Sequence, residues 1–105
     1  MLLKRRARWL VHAGLVSLLP LATASCGQPP NAAECVALLD RYVSLLATSD
    51  RPTISETELI RLRQEARELS AQNPAFRDCP ARVSRRQLDC ALSAPNADRF
   101  EQCLL

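Results

Sequence analysis

The chain has 105 residues, 48% hydrophobic but only 4% aromatic, with 14 basic and 11 acidic side chains and a formal charge of +3. The charge is uneven: Lys4, Arg5, Arg6 and Arg8 supply four basic residues, which leaves 10 against 11 acidic ones after residue 25, a formal −1, so the positive excess gives no argument for nucleic-acid binding. His12, Trp9 and Lys4 are the chain's single His, Trp and Lys, and none lies beyond residue 25.

The chain begins with that basic cluster, followed by the apolar stretch from Trp9 to Leu21, a charge-then-apolar layout of export signals. The stretch contains His12 and Pro20 and is shorter than the ~20 apolar residues needed to cross a bilayer core. Leu21-Ala22-Thr23-Ala24-Ser25 then places small residues directly before Cys26. The segment resembles the lipobox of bacterial lipoproteins, with Thr23 where such motifs most often carry Leu. The resemblance implies cleavage after residue 25 and acylation of the Cys26 thiol. It also implies outer-membrane rather than inner-membrane retention, because Gly27 rather than Asp follows the Cys. An ordinary secretory signal and a retained membrane helix are the alternatives. The expected organisation is a signal peptide over 1–25, a lipidated Cys with a short tether over 26–31, and a helical domain over 32–105.

Gln28-Pro29-Pro30 reads as an extended tether. Asn31 is placed to cap a first helix, with Glu34 three residues on to reach back to the cap. Cys35, Leu38, Leu39, Tyr42, Leu45 and Leu46 recur at helical spacing and predict one buried face, ending near Thr48 before Arg51-Pro52. A second helix starts at Thr53 or Ser55, with Ile54 and Leu59 as a hydrophobic staple and a buried stripe of Leu59, Leu62, Ala66 and Leu69. It ends before Asn73-Pro74. Ser84 and Gln87 open a third helix with Val83 and Leu88 as its staple, and Asn96 caps a short fourth on which Phe100, Cys103 and Leu104 share a face. Helical period runs throughout and no segment alternates like a strand. The expected fold is therefore all-α, a small disulfide-stapled domain of two helical hairpins.

Beyond Cys26 stand Cys35, Cys79, Cys90 and Cys103, an even number that predicts two disulfides in an oxidising compartment. No pair has the close spacing of a zinc site or a redox Cys-x-x-Cys motif. Antiparallel hairpins favour Cys35–Cys79 with Cys90–Cys103. Cys35–Cys90 with Cys79–Cys103, and Cys35–Cys103 with Cys79–Cys90, stay open at this level.

The chemistry available after residue 25 is narrow. Without His or Lys there is no Ser-His or Cys-His dyad, no imidazole ligand and no amine nucleophile, and without a Gly-rich turn there is no phosphate-cradling loop. Paired carboxylates remain formally open, but a helical domain this short rarely builds the deep cleft they need. The expectation is a non-catalytic protein without cofactor. It would be held at a membrane by its lipid, facing the periplasm or the cell surface, and would serve as a structural or protein-binding module. A thiol-disulfide or metal-handling protein and an inhibitor or immunity-type lipoprotein are the alternatives. Arg82, Arg85 and Arg86 form the one local basic cluster, a candidate anion contact whose bland reading is a solvated helix start.

Overall fold

A computed structural model describes residues 27–105. Cys26 and residues 1–25, where the acylation site and the signal peptide are expected, lie outside the described residues. Six helical segments follow in order: α1 (Ala32–Asp50), α2 (Glu56–Ser70), α3 (Pro74–Arg77), α4 (Cys79–Arg82), α5 (Arg85–Leu92) and α6 (Ala97–Cys103).

The helix starts are written in short polar side chains. Asn31 Oδ1 accepts from the Glu34 amide at 2.8 Å while Glu34 Oε2 accepts from the Asn31 amide at 3.3 Å, a closed capping box. Ser84 and Gln87 repeat it at α5, at 3.1 and 2.9 Å. Ser55 Oγ accepts from the Glu58 amide at 3.2 Å, and Asn96 Oδ1 from the Arg99 amide at 2.9 Å. These bonds satisfy amides that the first helical turn leaves without a partner.

The all-α expectation holds, and so do its two hairpins: α1 packs with α2, and α5 packs with α6. α1 is the common wall, since α4, α5 and α6 also pack against it. Its inner face contributes Cys35, Leu38 and Leu45 to a core completed by Cys79, Leu88, Ala91, Ala94 and Phe100. Leu88 is 1% exposed and is one of the two largest fully buried side chains among the described residues. Tyr42 is half-buried at the core's edge, its ring stacked on Phe100 at 4.9 Å between centroids.

Between the hairpins lie two single-turn helices that the spacing of apolar residues does not announce. Pro74 opens α3 and Pro80 falls in the first turn of α4, positions where a missing amide costs nothing because no helical acceptor awaits it. Cys79, buried at the start of α4, therefore meets Cys35 from a connector rather than from the end of α2.

Two expected core positions are corrected. Leu69, placed in the buried stripe of α2, is 72% exposed, and Leu46 of α1 is 44% exposed. α2 lies chiefly against α1, and its one buried residue, Leu59, stands outside the main core cluster. A helix packed on one neighbour covers only part of a wide apolar stripe.

Candidate functional site

The segment before α1 is part of the packed domain. Pro30 is among the fully buried side chains, and the carbonyl oxygen of Gln28 accepts from Arg85 Nε at 3.3 Å. The packed surface thus begins at residue 30.

The arginine cluster divides. Arg85 turns inward, with Nη2 at 2.7 Å from Glu34 Oε2, so its guanidinium joins the start of α5 to the start of α1. That hydrogen bond is the main reason the Glu34 carboxyl lies below the usual carboxylate range, and the same bond pushes the Arg85 guanidinium higher. Arg82 pairs loosely with Asp78 at 3.7 Å, and Arg86 is exposed and forms no ion pair among the described residues. Of the three, Arg82 and Arg86 are exposed and Arg85 is half-buried.

The cysteines pair as Cys35–Cys79 and Cys90–Cys103, with Cα atoms 6.2 and 5.6 Å apart. The first bridge fastens α1 to α4 inside the core, and the second closes the α5–α6 hairpin. Its Cys90 is exposed, on the opposite side of α5 from the buried Leu88 and Ala91.

Two apolar concavities stand out. One of about 290 Å3 lies among α1, α3, α4 and α6, lined by Leu39, Tyr42, Phe76, Val83 and Leu104 with Arg82 beside them. The other, about 530 Å3 and more open, follows the α1–α2 seam past Val43, Leu46, Leu62, Ala66 and Leu69. On the flank of the hairpin Arg67 grips Asp40, with Nε 2.9 Å from Oδ1, and Arg63 Nε donates to Ser44 Oγ at 2.9 Å. These bonds tie the two helices together along one side of the groove. The sequence reading missed this groove because helical periodicity marks an apolar face without saying how many neighbours share it.

Among the described residues there is no group of three or more His, Cys, Asp or Glu side chains placed to hold a metal ion. No described helix is long and apolar enough to cross a membrane. Together the fold and the bridges define a small, disulfide-stapled helical domain. Comparisons with protein-family models, curated proteins and solved structures find no match to this chain.

Proposed function

We propose that this chain is an exported lipoprotein. Residues 1–25 are its signal, Cys26 carries the acyl chains, and the helical domain is a non-catalytic module working at the envelope membrane, the outer one where the cell has two. The observation that carries this reading is the pair of closed disulfides on a domain whose packed surface begins four residues after Cys26. Disulfides persist in oxidising compartments outside the cytosol, and so short a connection keeps the domain beside its anchor. One acyl chain binds a membrane only marginally, and several on one residue hold it firmly.

The partner in this reading is a protein of the envelope that presents an amphipathic helix. The open seam between α1 and α2 supports it, since such a groove receives apolar side chains at helical spacing. Mass spectrometry of the protein isolated from membranes tests the anchor by reporting the cleavage site, the lipid and the oxidation state together. Acyl mass on an N-terminal Cys26 is the expected result. A Cys26→Ser protein should leave the membrane fraction, and its unchanged retention there would overturn the lipoprotein reading.

A further inference from the structure

The two disulfides stand in different surroundings. Cys35 and Cys79 are 3% and 5% exposed and belong to the core. Cys90 is exposed on α5, and Cys103 is half-buried on α6. Their bridge borders a surface depression of about 360 Å3, shared with Ser93, Pro95, Arg99 and Gln102. Arg99 precedes Cys103 by one helical turn, so the two share a face of α6. Its guanidinium hydrogen-bonds Gln102 Oε1 at 3.2 Å and joins no ion pair among the described residues, which leaves its charge available to a nearby anion.

We propose that Cys90–Cys103 is a thiol-exchange site open to a low-molecular-weight thiol, whereas Cys35–Cys79 is closed to exchange in the folded protein. The incoming thiolate attacks Sγ of the exposed Cys90. A new S–S bond forms there, the Cys90–Cys103 bond breaks, and its electron pair leaves on Cys103 Sγ as a thiolate in the depression that Arg99 also lines. A stabilised leaving thiolate departs faster. A second thiol then attacks the mixed disulfide, releasing the oxidised small molecule and leaving Cys90 and Cys103 as thiols, a two-electron reduction balanced by two thiols consumed. α6 does not depend on the bridge alone for its position. Phe100 is embedded in the core, and Gln87 Nε2 donates to the Leu104 carbonyl oxygen at 3.4 Å. The proposal is independent of whether Cys26 is acylated.

The test uses the full chain purified in its oxidised form. Free thiols, Cys26 included if it carries no lipid, are first blocked with N-ethylmaleimide. Glutathione is then added, and a second alkylating reagent of different mass is applied at intervals before peptide mapping. Cys90 and Cys103 should label about tenfold or more ahead of Cys35 and Cys79, as local access precedes opening of the core. The glutathione adduct should form on Cys90, with far-UV circular dichroism unchanged. Simultaneous labelling of all four cysteines, earlier labelling of Cys35 and Cys79, or an adduct on Cys103 would overturn the proposal. Arg99→Gln should slow exchange about threefold while Arg99→Lys retains most of the rate, because the charge matters more than the fork. An unchanged rate in Arg99→Gln would remove Arg99 from the site.

Discussion

Arg85 Nη2 stands 2.7 Å from Glu34 Oε2, and the same carboxylate oxygen closes the capping box on the Asn31 amide. One side chain thus joins the segment before α1, α1 itself and the start of α5. Arg85 adds a bond to the Gln28 carbonyl, so the chain around Pro30 is fastened from both sides.

This junction makes stability acid-sensitive in a defined direction. The Arg85 hydrogen bond, with a smaller contribution from the Asn31 amide, outweighs desolvation and holds the Glu34 carboxyl below its ordinary 4.5. A carboxyl depressed in the folded state stabilises above its unfolded value, and that contribution disappears as pH falls through the folded one. Arg85→Gln should therefore lose less stability than the natural protein on acidification below 4.5. Urea midpoints measured at neutral and acidic pH check it. Parallel losses in the two proteins would show that Glu34 gains nothing from Arg85.

The contrast between Leu88 and Leu69 tests where the core lies. Leu88→Ala empties a fully buried position and should cost about 3–5 kcal/mol, measured by urea denaturation. Leu69→Ala, at a position 72% exposed, should stay within about 0.5 kcal/mol of the natural protein. A comparable loss at Leu69 would mean that α2 is covered on its outer face.

The elements most legible in the sequence were those governed by local chemistry. Asn31, Ser55, Ser84 and Asn96 each cap the helix that their side chains announce, because a cap needs only a polar oxygen and the amides two or three residues on. The disulfide pairing follows only from the hairpin topology, and then as one of three. What escaped the sequence depends on neighbours distant in the chain. Pro30 reads as tether until Arg85 is seen to hold the Gln28 carbonyl, and Arg85 reads as solvated until Glu34 is found beside it. Leu69 keeps a core-like period although it stands 72% exposed among the described residues. α3 and α4 are single turns, too short for periodicity to register.

The two bridges should differ in their contributions to stability. Cys35 and Cys79 are 44 residues apart in sequence, Cys90 and Cys103 only 13. Restriction of the unfolded chain then assigns about 4 kcal/mol to the first and about 3 kcal/mol to the second. Replacing Cys35 and Cys79 together by Ala adds loss of core packing, so that double variant should unfold at the lower denaturant concentration. Equal or reversed midpoints would place the greater constraint in the α5–α6 hairpin.

Alkaline conditions should act through Tyr42. Its phenol Oη donates to Glu101 Oε1 at 2.6 Å, and its ring stacks on Phe100. The bond to Glu101, followed by desolvation and the carboxylate's charge, raises the phenol above its ordinary 10.0. A group raised in the folded state stabilises below its unfolded value, and the contribution disappears as pH rises through the folded one. Tyr42→Phe keeps the stack and removes only the hydroxyl. At neutral pH it should cost about 0.5–1 kcal/mol, a low figure for a charge-assisted bond because the pair is exposed. Above pH 10.0 the gap between the two proteins should narrow, since the ionised phenol no longer donates to Glu101 and repels it instead. Denaturant midpoints of the two proteins at neutral pH and above 10.0 make the comparison. A gap that stays constant would assign the neutral-pH loss to packing around Phe100 rather than to the Tyr42–Glu101 bond.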